Sequence, residues 1–370
     1  MDYHAMGIDD FEAPGLRVVA AGGPSCKIED LQNGGLRIHG FRDLSRIGLP
    51  RGGDVVAAGS GLSLSLTASS LGAKGGNLNQ ASTFDYGRAF SRNIGWVTEA
   101  EQEKLRSARV AIAGLGGVGG AHLLTLSRLG MSRFNIADFD EFGVHNMNRQ
   151  VGAFMSTVDQ PKARVLAGMA RDINPETDVR VFPEGVTEAN LDEFLRDVDV
   201  YVDGIDFFAL PARRMLFKAC YERGIPALTA APLGMGVALM YFKPGGMSFE
   251  QYFRVEGRGE NEQYARFIAG LSPAMLQRDY LVAPHAVNFK ERRGPSTMMS
   301  CDLCAGVMGV AVLKVLLGRG KLRAAPWTMQ FDAYHQKLKF TWRPFGNANP
   351  IQQLMLLLIR PLLEGRAKPG

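Results

Sequence analysis

Hydrophobic and polar positions settle into a regular pattern only after about residue 84. Residues 1–84 are rich in Gly, Ala, Ser and Arg, carry short apolar runs such as 16–21, and show no sustained helical period. They predict a poorly patterned N-terminal extension that fits a few short strands as well as a stretch without fixed structure. Beyond it, Thr98 followed by Glu101 has capping-box spacing and predicts a polar helix over 99–106. A buried strand at 109–114 (RVAIAG) leads through a glycine-rich turn into a helix over 118–129. A second strand follows at 134–138. The alternation continues: helices at 162–172, 190–196 and 211–223, and strands at 179–182, 200–202, 227–230 and 237–242. Strands alternating with helices of this length predict an α/β fold, a doubly wound, mostly parallel Rossmann-like sheet.

The remaining pattern fills in the C-terminal part. Residues 245–297 read as a long, polar, weakly periodic insertion, of the kind that is functional in a compact domain. An apolar helix is predicted at 303–317, then two strands at 328–333 and 337–342 that form a C-terminal antiparallel extension. The segment 351–363 (IQQLMLLLIRPLL) is apolar almost all round. The expected organisation is therefore an extension over 1–84, a catalytic domain over 85–343 with its insertion at 245–300, and an apolar tail over 344–370. The tail packs on the core or on a partner chain in the simplest reading, with membrane contact as the other option.

Composition narrows the class. The 370 residues are 46% hydrophobic and 21% charged, ordinary for a globular chain with a sizeable core. The net charge of +5, from 42 basic and 37 acidic residues, suits an anionic ligand such as a nucleotide and does not indicate nucleic acid. No stretch reads as a membrane span, and the N-terminus has no basic start followed by an apolar run. Four cysteines, Cys26, Cys220, Cys301 and Cys304, do not make a disulfide framework, so the reducing cytoplasm is the default location.

The chemistry begins at Gly114-Leu115-Gly116-Gly117-Val118-Gly119, a G-x-G-x-x-G set between strand and helix. Its glycines permit a tight turn and close approach of backbone to phosphate, at a helix N-terminus that favours negative charge. Asp138, at the end of the next strand, lies where a ribose-binding acid belongs. On these features a NAD-dependent oxidoreductase fits as well as anything. The following residues favour another reading. Asp138-Phe139-Asp140 is followed by Asn146-Met147-Asn148-Arg149-Gln150 and then Pro161-Lys162. A set of Asn, Arg and Lys suits a triphosphate whose charge leaves as pyrophosphate. The strand ending in Asp203-Gly204-Ile205-Asp206 puts carboxylates at the same sheet edge, where one could hold Mg2+.

This ordered set, running from about residue 86 to 317, resembles the ThiF/MoeB/ubiquitin-activating-enzyme superfamily. The resemblance implies an ATP-dependent adenylyltransferase that activates a carboxylate as an acyl-adenylate and releases pyrophosphate. It implies ATP and Mg2+ as cofactors, with Gly114, Gly116, Gly117, Gly119, Asp138 and Asp140 in the nucleotide site. Asn146 and Arg149 would meet the phosphates, Lys162 the reacting centre, and Asp206 the magnesium. It also implies a homodimer, in which an arginine preceding the first core strand reaches the partner's site. Arg92 of Ser91-Arg92-Asn93 stands in that place, a looser match because Ala89 occupies the position of the family's first arginine.

The chain also departs from the family. Many members close a zinc site with two C-x-x-C pairs. Here Cys301-Asp302-Leu303-Cys304 is the second pair, and Gly245-Gly246-Met247-Ser248-Phe249 stands where the first belongs. No complete zinc site is expected. Cys220 falls in the apolar phase of its helix, which leaves a thioester step unsupported. Family substrates include the C-terminus of a ubiquitin-like protein or peptide and a carboxylate on a modified tRNA base. A peptide or small-protein tail is preferred, because 245–297 sits where the family's crossover loop covers an incoming tail. A catalytically silent scaffold, like the inactive half of a heterodimeric activating enzyme, is the remaining alternative.

Overall fold

The computed structural model describes residues 83–283, 286–287, 291–292 and 294–360 with their side chains, the backbone of 361–363, and four short N-terminal strands. The chain divides into two units, Met1–Thr83 and Phe84–Gly370. In the first, β1 (Lys27–Leu31) pairs antiparallel with β2 (Gly35–His39), and β3 (Val55–Val56) with β4 (Ser63–Leu64). The rest of the expectation for 1–84 lies outside the described residues.

The second unit is built on one eight-stranded sheet. Its strands are β5 (Arg109–Ala113), β6 (Arg133–Ala137), β7 (Asp178–Phe182), β8 (Val200–Asp203), β9 (Ala227–Leu233), β10 (Gly236–Phe242), β11 (Trp327–Asp332) and β12 (Lys337–Trp342). They lie in the order β12-β11-β10-β9-β8-β5-β6-β7. Pairings from β7 through β9 are parallel, and those from β9 through β12 are antiparallel. The doubly wound sheet with an antiparallel extension is thus as the pattern predicted. β5 shows how the sheet faces two cores. Val110 and Ile112 point into one cluster, Ala111 and Ala113 into the other, and all are buried. Each such apolar side chain contributes roughly 1.5–3 kcal/mol when fully buried, less for alanine.

The helices are α1 (Tyr86–Ala89), α2 (Glu99–Ser107), α3 (Gly117–Arg128), α4 (Lys162–Ile173), α5 (Leu191–Phe194), α6 (Leu210–Glu222), α7 (Phe249–Phe253), α8 (Glu260–Leu271), α9 (Met298–Leu317) and α10 (Pro350–Leu363). The expected capping box starts α2: Glu101 donates its amide to the Thr98 hydroxyl at 3.2 Å, and the Thr98 amide donates to Glu101 Oε2 at 2.9 Å. α3 and α9 share one face of the sheet and run parallel. Gly117 faces Cys301, and Thr125 faces Gly309 about two turns further along both helices.

Three expectations are corrected. The first half of the 245–297 insertion is no open loop. It forms α7 and α8, whose Phe249, Tyr252, Phe253, Tyr264 and Phe267 are buried in the second core cluster with α6. These aromatics do carry helical spacing, 249/252/253 and 264/267, but each run is short and set among polar residues, so the segment as a whole reads as polar. α9 starts five residues earlier than predicted, because Asp302 turns its side chain to solvent and does not interrupt the helix. At 20 residues and mean hydropathy 1.9, α9 is also long and apolar enough to cross a membrane, contrary to the sequence reading. It lies instead against the sheet, with Cys301, Cys304, Met308 and Val312 buried. The tail packs on the rest of this unit, the simplest reading of its sequence. α10 packs on α8 through Leu356 and Ile359, and Arg360 pairs with Glu262 at 2.7 Å. Its other face leaves Ile351, Leu354, Leu357 and Leu358 exposed.

Candidate functional site

The C-terminal edge of the parallel strands gathers the predicted residues. Gly114 follows β5 with φ +80°, a conformation that a side chain would strain. A Cβ on Gly114 would stand 2.3 Å from the carbonyl oxygen of Gly204, and one on Gly119 would stand 1.8 Å from that of Gly114. The glycine turn and the loop after β8 therefore touch backbone to backbone, which only glycine allows. Gly116 caps the N-terminus of α3, and its nearest neighbour is the Gln150 amide nitrogen, 3.7 Å from an added Cβ. Gly117 rests on the sulfur of Cys301, 2.9 Å from an added Cβ. The open end of a twelve-residue helix thus faces outward at the turn, with free amides and the positive end of its dipole.

Asp138 follows β6 and locks this turn in place. Its Oδ2 accepts the Leu115 amide at 2.6 Å, and its Oδ1 accepts the Asp140 amide at 2.8 Å. Burial raises its pKa above the usual carboxylate range, against the opposing pull of those amides and Lys162. Each oxygen retains a further lone pair for a hydroxyl. Lys162, the first residue of α4, is buried and donates to Asp140 Oδ2 at 3.0 Å. Arg149 is half-buried beside Gly117, and its Nη1 donates to the His145 carbonyl and to Asn148 Oδ1, both at 2.9 Å. Asn148 in turn donates to the Ser296 carbonyl at 3.0 Å, tying this loop to the approach of α9. Asn146 is buried, and its Oδ1 accepts the Gly143 amide at 3.0 Å. The structure gives that oxygen a part in the loop's own frame.

The loop after β8 separates two carboxylates that the sequence left side by side. Asp203 is buried and paired with Arg213 of α6 at 2.7 Å, so its role is structural. Asp206 is exposed, and its Oδ1 accepts the Phe208 amide at 2.9 Å. Arg92 is exposed but stands elsewhere. Its neighbour Asn93 donates to the Leu129 carbonyl at 3.0 Å, just past the C-terminal end of α3. Twelve residues of helix, about 18 Å, lie between that point and the glycine turn.

The cysteines offer no exposed nucleophile among the described residues. Cys220 is in the core beneath the sheet, where burial pushes its thiol up to about 12. Cys301 and Cys304 are buried in α9, and burial raises both. No group of three or more His, Cys, Asp and Glu side chains positioned for a metal occurs among the described residues.

Sequence reasoning missed Arg213, Gln150 and the Cys301–Gly117 contact. Arg213 had a signal: an arginine one turn into an apolar helix, ten residues after an acid that ends a buried strand. Gln150 is buried with Oε1 lacking a partner in the structure.

Comparison with known proteins gives the family and the fold. The sequence profile of the ThiF family matches residues 90–351. The tRNA threonylcarbamoyladenosine dehydratase of Bacillus subtilis is 34% identical over 142 residues, 38% of this chain and 55% of that protein. The sulfur carrier protein ThiS adenylyltransferase of Escherichia coli is 30% identical over 143 residues, 39% of this chain and 56% of that protein. The chain thus spans about half the length of the curated relatives it matches. Among solved structures, PaaA superposes with a TM-score of 0.52 at 18% identity, over 72% of this chain and 77% of its own. E. coli MccB with ATP gives 0.50 at 18%, over 68% and 69%. At such identities the likeness is one of fold.

Proposed function

The chain belongs to the ThiF family, and on that premise we propose that it is an ATP-dependent adenylyltransferase that activates a carboxylate. One observation carries the reading: the glycine turn, Lys162, Arg149 and Asp206 meet at one sheet edge, a site rich in cationic donors and poor in nucleophiles. A carboxylate oxygen attacks the α-phosphorus of ATP, the bond from that phosphorus to the bridging oxygen breaks, and pyrophosphate leaves. The amides at the start of α3, with Lys162 and Arg149, stabilise the charge on the transferring and leaving phosphates. Lys162 reaches ligand by exchanging its bond to Asp140, and Arg149 by exchanging its bonds to His145 and Asn148. Asp206 would hold Mg2+, which neutralises phosphate charge when bound. The acyl-adenylate is the product, and the described cysteines, all buried, give a thioester step no support.

The preferred carboxylate is the C-terminus of a peptide or small ubiquitin-like protein, a reading supported by the E. coli relative that adenylylates the sulfur carrier protein ThiS and by the solved structure of MccB together with MccA. A tRNA-base carboxylate, suggested by the Bacillus relative's name, is the second reading. A homodimer is part of the proposal, because Arg92 stands too far along α3 to serve its own chain's phosphates. Apolar surface for a second copy is present on the α9 side of the sheet, where Leu338, Phe340 and Trp342 of β12 and Met299 and Val310 of α9 are exposed. We place the protein in the cytoplasm, where its buried thiols stay reduced.

The test is calorimetry with ATP·Mg2+ and with NAD, followed by ATP–pyrophosphate exchange with peptides and small proteins as carboxylate donors. ATP should bind well below millimolar concentration and NAD weakly. Tighter binding of NAD would overturn the assignment in favour of an oxidoreductase. ATP binding without exchange on any carboxylate would favour the silent scaffold.

A further inference from the structure

We propose that Arg213 is a positioning residue, which holds the loop after β8 so that Asp206 faces the nucleotide turn. The inference rests on the reading of Asp206 as the magnesium carboxylate. Arg213 is 3% exposed and spends its guanidinium almost wholly on this one loop. Nε donates to Asp203 Oδ2 at 2.7 Å, Nη1 to the carbonyls of Asp206 at 3.1 Å and Phe207 at 3.4 Å, and Nη2 to the carbonyl of Ile205. The plane also lies over the Phe267 ring of α8, 4.7 Å from its centroid.

Three successive backbone carbonyls therefore turn inward to one cation, while the Asp206 side chain between them turns outward to solvent. Without that cation the carbonyls and the Asp203 carboxylate, 2% exposed, would be left without their donor, and the loop would refold to satisfy them. Gly204 is held separately, by its amide to the Ala113 carbonyl at 2.9 Å and its packing on Gly114, so the loss of Arg213 falls on 205–207 and not on the glycine turn. A lysine cannot replace the fork. Its ammonium is a single point and reaches at most part of this set.

The experiment measures ATP affinity by calorimetry with and without Mg2+ on the full chain, so no acyl substrate is needed. In wild type, Mg2+ should tighten ATP binding. Asp206→Asn should lose that gain while Mg2+-free affinity holds, and if it keeps the gain, the magnesium reading of Asp206 itself fails. Given that control, Arg213→Lys should keep Mg2+-free affinity within about twofold and reduce the Mg2+ gain about tenfold or more. A wild-type gain in Arg213→Lys overturns the positioning role and leaves the Asp206 reading standing. Equal loss with and without Mg2+ also overturns it, as that is the mark of a general structural part. Should the lysine variant fail to fold, Asp203→Leu combined with Arg213→Met decides. That pair buries no charge and leaves the carbonyls unheld, and a folded double variant with the wild-type Mg2+ gain overturns the proposal.

Discussion

At the residue scale, the site depends on atoms that are missing. Gly119 has no Cβ because the Gly114 carbonyl occupies that space at 1.8 Å. Gly119→Ala must move one backbone segment against the other, and is expected to cost about 1–3 kcal/mol of stability and to weaken ATP binding at least tenfold. Thermal unfolding and calorimetry on one preparation check both. His122 makes a second residue-scale case. It is fully buried in α3, neither ring nitrogen has a partner in the structure, and burial lowers its pKa from 6.5 to about 3. The folded state thus keeps it neutral where the unfolded chain takes up a proton. Its contribution is fully present above pH 6.5 and declines as pH falls toward 3. Stability should fall by about 1.4 kcal/mol by one pH unit below the unfolded value. Urea unfolding at about pH 7.5 and about pH 5.5 should show this loss, and His122→Leu should remove most of it. An unchanged pH slope in the variant would assign the acid loss to other groups.

At the element scale, α10 sits between two environments. Leu356 and Ile359 lock into α8, and the opposite face carries Leu354, Leu357 and Leu358 in water. Adjacent leucines should therefore answer differently to the same change. Leu356→Ala removes a fully buried side chain and should cost about 2–5 kcal/mol. Leu357→Ala, at 59% exposure, should stay within about 0.5 kcal/mol and improve solubility. Equal effects in chemical denaturation would mean that the exposed face is covered in solution. α9 shows the same tension between composition and place. Its apolar length would suit a bilayer, but its small residues Cys301, Ala305 and Gly309 let α3 approach closely and its larger ones fill the sheet's upper core.

At the scale of the whole molecule, the proposed role of Arg92 requires a second chain. In its own chain it stands at the far end of α3, so a homodimer of the proposed kind has two composite sites. Mixing Arg92→Ala chains with Asp206→Ala chains should restore activity in mixed dimers, since one site collects both defects and the other has none. Subunit exchange is first shown by mass or fluorescence. Restored activity to about a quarter of wild type is expected when random pairing makes half the dimers mixed, each with one good site. Confirmed exchange with no activity would place Arg92 outside the reaction.

Periodicity and turn chemistry alone determined the strand–helix alternation, the glycine turn, the capped start of α2 and the ordered cationic set from Asp138 to Lys162, because each is written in neighbouring residues. The parallel sheet followed, since strands alternating with helices pair that way. Tertiary structure alone decided that Asp203 is buried in an ion pair while Asp206 stands exposed, because the partner of Asp203, Arg213, is brought in from the next helix. It likewise decided that the aromatic positions of a polar stretch after residue 245 are core, and that Arg92 and the glycine turn are held apart by the length of α3. Those facts belong to contacts between residues distant in the chain, where burial and satisfied hydrogen bonds, rather than local pattern, select the arrangement.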